Sequence, residues 1–108
     1  MPNPRPRLIW SPASKEDLLN IWRYFVRVAS PEIADKLLRE IERASDRITD
    51  NPLQWRLRMD IMPGLKGGLR SVPVHPYTVF YQLATDDDVL IVRVLHERRN
   101  IQSILSER

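Results

Sequence analysis

The chain has 108 residues and a mass of 12.7 kDa, enough for one domain with a core of its own and too short for two. Hydrophobic residues make up 43% and charged residues 29%, which excludes a disordered or fibrous chain. The absence of cysteine excludes a disulfide scaffold and any thiolate metal site. No apolar run reaches the length of a membrane span, and the first ten residues lack the apolar middle of a signal peptide, so the expectation is a soluble cytoplasmic protein. The net charge of +3 is uneven: residues 51–70 carry +3, residues 71–92 carry −3, and the two ends, 1–11 and 93–108, carry +2 each. Such clustering fits either a basic face for nucleic acid or an acidic protein, or a scattered charged surface.

Arg5–Trp10 reads as a short edge strand, because Pro4 and Pro6 cannot donate to a ladder. Ser11-Pro12 is a helix start, a capping hydroxyl followed by a proline whose φ already suits the first turn. Leu18, Ile21, Trp22, Phe25 and Val28 then recur at helical spacing, which predicts a helix over 12–28. Ser30-Pro31 repeats the signal, and Ile33, Ala34, Leu37, Leu38, Ile41, Ala44 and Ile48 carry a second helix to about Thr49, where Asn51-Pro52 ends it. Glu32/Lys36 and Asp35/Arg39 are suited to pair along its outer face. The short link between the helices predicts an antiparallel hairpin.

Residues 53–68 read as a connection with turns at Pro63-Gly64 and Gly67-Gly68 and a short strand at Arg56–Asp60. Three β-runs follow, Leu69–Val74, Tyr77–Leu83 and Val89–His96, broken at His75-Pro76 and at Thr85–Asp88. The fold class is α+β in the order β-α-α-β-β-β, with the hairpin packed on one face of a mainly antiparallel sheet. Alternation places Tyr77, Val79, Tyr81 and Leu83 toward the helices, which puts Phe80 on an open face that a partner could cover. Trp10, Trp22 and Trp55 are expected to anchor the core or an interface.

His75 and His96 cannot make a zinc site alone, and no phosphate loop, nucleophile elbow or dinucleotide fingerprint is present, so neither metal nor cofactor is expected. What remains is a basic and aromatic set: Arg56, Arg58, Lys66, Arg70, Tyr77, Tyr81, Arg93, His96, Arg98 and Arg99. Arginines that grip phosphate and a histidine that moves protons could bind or cut RNA. Arg70 reads as a phosphate clamp or a solvated strand end, and His96 as catalytic or structural. Arg93 interrupts an apolar strand, so either its face is open or it pairs with a buried carboxylate.

Asp17-Leu18, Ile21-Trp22-Arg23-Tyr24, Asn51-Pro52, Pro63-Gly64-Leu65, Leu69-Arg70-Ser71, Tyr77–Tyr81 and Ile91–Arg99 occur in that order. Together they resemble the ParE branch of the RelE/ParE superfamily of type II toxin–antitoxin and plasmid-stabilisation toxins, over about residues 8–100. The resemblance implies a single toxin domain over 1–108, a ParD-type antitoxin as partner, DNA gyrase as target, and contact with DNA only through the antitoxin. It leaves open a ribosome-dependent messenger-RNA endonuclease using Arg70, Arg93 and His96, or a degenerate toxin that only binds antitoxin. Partner contacts are expected at Trp22, Phe80, Arg98 and Arg99 and along a strip of Arg56, Arg58 and Arg70. Two departures stand out: Glu97 and Asn100 replace a glycine and an aspartate frequent in related chains, and no tyrosine follows Tyr81 where RelE-type nucleases use one.

Overall fold

The computed structural model of the chain describes residues 6–84, 86–99 and 101–106. The elements are β1 (Leu8–Trp10), α1 (Pro12–Val28), α2 (Pro31–Ile48), β2 (Arg56–Leu57), β3 (Leu69–Val74), β4 (Tyr77–Leu83), β5 (Val89–His96) and α3 (Ile101–Ser106). The sheet order is β1-β5-β4-β3-β2, antiparallel throughout except for β1, which runs parallel to β5. Arg5, Thr85 and Asn100, which the sequence reading placed in a strand, a turn and a motif, lie outside the described residues.

Both long helices begin as the Ser-Pro signals require. The Ser11 hydroxyl accepts the Ser14 N–H at 3.0 Å and the Ser30 hydroxyl accepts the Ile33 N–H at 3.2 Å, each satisfying a donor that has no partner within its helix. Ser11 also donates to the Val92 carbonyl at 2.8 Å, which fixes the start of α1 on β5. Trp22 Nε1 donates to Asp35 at 2.9 Å across the hairpin, so Asp35 joins α1 to α2 instead of pairing with Arg39 along its own helix.

Beneath the hairpin, Ile21, Ile41, Ala44 and Ile48 pack on Val72, Tyr77, Val79, Tyr81, Val89, Ile91 and Val94, with Trp10 and Trp55 at the margin. The opposite face of the sheet is also covered. Ile61, Leu69, Phe80, Val92, Leu95 and Leu105 form a second apolar cluster, closed by the 58–65 connection and by α3. This corrects the expectation of an open face: Phe80 has no exposed surface and is a core residue, not a partner contact. The covering helix was not anticipated, although Ile101, Ile104 and Leu105 carry its apolar spacing.

A bulge in β5 explains a second difference. The β4–β5 register jumps from Phe80↔Arg93 to Tyr81↔Ile91 and leaves Val92 as the extra residue. Ile91 and Val94 consequently both face the hairpin, although period-two alternation would send them to opposite sides. In the connection before β3, Gly67 and Gly68 adopt φ of +80° and +76°, and a Cβ on Gly68 would meet Leu57 Cδ1 at 2.6 Å.

Strand β1 is held at its start by Asp88, a buried carboxylate that accepts the Arg7 backbone N–H at 2.9 Å and the Arg7 guanidinium at 2.8 and 3.0 Å. These hydrogen bonds lower the Asp88 pKa from its ordinary value. A depressed folded-state pKa contributes stability that is complete above the unfolded value near 4 and is lost as the pH falls through the folded one. The urea midpoint should therefore drop between pH 5 and pH 2, and by visibly less in Asp88→Asn; an equal drop in both proteins would remove Asp88 from this role. Leu105→Ala should cost about 2–4 kcal/mol in urea unfolding, because it empties the centre of the second cluster. A loss below about 1 kcal/mol would mean that α3 does not cover the sheet.

Candidate functional site

Strand β5 carries a charge into the interface between the hairpin and the sheet. Arg93 Nε and Nη2 each donate to Asp17 of α1 at 2.8 Å, and Asp17 Oδ2 also accepts the Val94 N–H at 2.9 Å. Asp17 is 9% exposed, so the charge in the strand is answered by a buried carboxylate, one of the two arrangements expected for it. The fork-to-carboxylate contact raises the Arg93 pKa further above its ordinary value.

Next to this pair, α1 and the end of β5 form an open cleft of about 270 Å³. Asn20 and Tyr24 enter it from α1, Tyr77 from β4, and Arg93, His96 and Arg99 from β5 and the turn after it. His96 is stacked edge-on to Tyr77, with ring centroids 5.4 Å apart. Its Nδ1 accepts the Arg98 N–H at 3.1 Å, which leaves the proton of the neutral ring on Nε2. Burial pushes the Tyr77 hydroxyl pKa up, and the neighbouring Tyr24 adds to the effect. Tyr77 therefore stays a neutral hydrogen-bonding group at any ordinary pH.

The remaining candidates lie elsewhere. Arg70 is on β3, paired in register with Tyr81, and its Nη1 donates to the carbonyls of Leu53 and Trp55 at 3.2 and 2.7 Å. It is a tie for the 53–55 segment, not the solvated strand end considered for it, and it does not line the cleft that holds Arg93 and His96. Tyr81 assists the same segment by donating to the Pro52 carbonyl, and burial pushes its pKa up to about 12. Arg58 binds Asp60 through two hydrogen bonds of 3.0 and 2.9 Å, donates to Ser71 at 3.2 Å, and lies 5.8 Å over the Phe80 ring. Its guanidinium holds Asp60 at a pKa of about 2. Of the proposed strip of Arg56, Arg58 and Arg70, two members are thus engaged within the fold, and Arg56 on β2 is exposed. Trp22 is half-buried in the hairpin, while Arg98 and Arg99 are exposed after β5.

The sequence reading missed Asn20, Tyr24 and Asp17 as parts of a site. The signal for Asp17 was indirect, namely the unexplained charge of Arg93. For Asn20 and Tyr24 it was only a four-residue spacing on the outer side of α1. Among the described residues no cluster of three or more potential metal ligands occurs, and no helix is long and apolar enough to cross a membrane.

A helical hairpin across a mixed five-stranded sheet, with a charged cleft where α1 meets β5, places the chain in a known class of small α+β domains. The same fold occurs in a solved structure of the chromosomal ParDE TA system from P. aeruginosa, with a TM-score of 0.72 over 85% of this chain and 96% of that one, at 20% identity. The family model for the ParE toxin of the type II toxin–antitoxin system parDE matches residues 8–101. Toxin ParE1 of Mycobacterium tuberculosis is 32% identical over 95 residues, covering 88% of this chain and 93% of that protein. Toxin ParE3 of Caulobacter vibrioides is 32% identical over 92 residues, covering 85% and 87%. The chain belongs to the ParE toxin family.

The Asp17–Arg93 pair yields a direct test. Asp17→Ala strands a largely buried guanidinium and a strand N–H, and should cost about 2–4 kcal/mol in urea unfolding. The double substitution with Arg93→Ala should recover part of that loss, giving a coupling of about 1–3 kcal/mol. Additivity within about 0.5 kcal/mol would show that the two side chains do not act together.

Proposed function

We propose that the chain is the toxin of a type II toxin–antitoxin pair, that it arrests growth by inhibiting DNA gyrase in the cytoplasm, and that a ParD-type antitoxin neutralises it. In this reading residues 1–108 act as one toxin domain. The observation that carries it is family membership across residues 8–101 in a chain whose suggested nuclease residues are not gathered. Arg93 and His96 share a cleft, but Arg70 serves the 53–55 segment through backbone carbonyls. Arg93 is itself forked onto Asp17, which suits it to hold two elements together. A toxin that inhibits by binding needs a rigid surface and no proton-transfer set.

The names of the relatives support the pairing with an antitoxin, since the structure with the same fold is described as a ParDE system. Antitoxin segments that fold on binding combine acidic and apolar residues, and a chain with a pI near 9.7 suits such a partner.

Controlled expression of the unaltered chain, read separately for plasmid supercoiling and messenger-RNA integrity, tests the proposal. The expected result is growth arrest with lost negative supercoiling, intact transcripts, and rescue by a co-expressed ParD-type antitoxin. Arrest with unchanged supercoiling and cut transcripts, abolished by His96→Ala, would replace gyrase by messenger RNA as the target. Expression without arrest would leave an antitoxin-binding module.

A further inference from the structure

Several of the polar side chains singled out in this molecule are engaged internally: Arg58 on Asp60 and Ser71, Arg70 on two carbonyls, Trp22 on Asp35. The cleft between α1 and the end of β5 is different. Among the described residues, the Tyr24 and Tyr77 hydroxyls, the Asn20 amide, His96 Nε2, Arg93 Nη1 and the Arg99 guanidinium have no hydrogen-bond partner. All belong to residues that line one recess of about 270 Å³, a volume suited to a single side chain. Each of these groups can donate a hydrogen bond.

Charge and shape define what such a recess would take. Asp17 and Arg93 neutralise each other across their fork, so the remaining formal charge of the lining is that of Arg99. Donors around one net positive charge match one carboxylate. Toward the hairpin tip the recess is continued along α1 by an exposed ridge at four-residue spacing, Asn20, Tyr24 and Val28, where Tyr24 is 47% and Val28 is 54% exposed. Arg27 lies 5.8 Å over the Tyr24 ring, so the ridge offers aromatic and apolar surface with one cation beside it, whereas a nucleic-acid backbone, charged at every nucleotide, calls for a row of cations.

We infer that this cleft is a carboxylate receptor: it takes the Asp or Glu side chain of a protein segment whose neighbouring apolar residues lie along Tyr24 and Val28. The inference rests on the reading that the chain acts through a protein partner, and it names the chemistry of that contact. The carboxylate enters between Arg99 and His96 Nε2–H, with the tyrosine hydroxyls and Asn20 completing its hydrogen bonds.

The test uses the purified full chain, made by cell-free synthesis, and two fluorescent capped peptides, Leu-Asp-Leu and its isosteric Leu-Asn-Leu counterpart. The Asp peptide should bind about tenfold tighter than the Asn peptide. Arg99→Gln should abolish that preference, while Arg23→Gln, which removes a cation of α1 outside the cleft, should preserve it. Equal binding of the two peptides overturns the inference, as does equal loss in the two variants, which would signal general charge attraction. Displacement of the Asp peptide by a short oligothymidylate at lower concentration than by unlabelled peptide overturns it in favour of nucleic acid. Growth arrest is scored independently, so a chain that selects the Asp peptide without arresting cells refutes the toxin reading and leaves the receptor standing.

Discussion

The carboxylate of Asp17 is the point on which the arrangement of helices and sheet turns. It accepts two hydrogen bonds from the Arg93 fork and one from the backbone of Val94, so a residue of α1 is tied to both the side chain and the main chain of β5. A charge inside a sheet is tolerated only when a partner replaces the water it has lost. That condition fixes the rotation of α1 about its own axis: the face bearing Asp17 also bears Ile21, which then drops into the apolar cluster beneath. Ser11 secures the same helix a turn and a half earlier through the Val92 carbonyl. Both ties land on the bulged part of β5, where the two-residue repeat is interrupted.

The bulge gives one strand two obligations. With Val92 inserted, Ile91 and Val94 can both reach the hairpin core, while Val92 and Leu95 reach the cluster under α3. Arg93, between them, is presented to α1. The cleft lies just beyond the bulge, lined by Arg93 to His96 of β5 and by the face of α1 that carries Asp17, Asn20, Ile21 and Tyr24. Its aromatic wall of Tyr77 and His96 is a cross-strand pair in register.

Local patterns made most of the fold legible. The Ser-Pro signals and the apolar spacing gave α1 its observed limits of Pro12–Val28, and the β-runs matched Leu69–Val74, Tyr77–Leu83 and Val89–His96. Alternation correctly grouped Tyr77, Val79 and Tyr81 beneath the helices. What it could not give was the other side of the sheet. Which residues share a face is a property of one strand, whereas what covers that face depends on distant segments, here the 58–65 connection and the six residues of α3. Phe80 was misplaced for that reason. The cleft was legible only in fragments: Arg93 and His96 drew notice by type and position, while Asn20 and Tyr24 sit on a helix face that looks like ordinary solvated surface.

The fate of the arginines shows why charge counting locates a binding surface poorly. Segment 51–70 is the most basic part of the chain, yet Arg58 is a lid on Phe80 clamped by Asp60, and Arg70 is a brace for the turn that follows α2. Two of the cations behind the high pI are thus structural elements: the charge of Arg58 is answered by Asp60, and Arg70 spends its Nη1 on two backbone carbonyls. The turn after β5 is less basic by count, but Arg99 borders a recess whose neighbouring donors have no partner among the described residues. Recognition draws on the donors that the fold presents together at its surface, and the register of β4 on β5, the bulge and the Asp17 tie bring these particular donors to one recess. The same net charge distributed on an unbulged strand would produce a basic surface without a receptor.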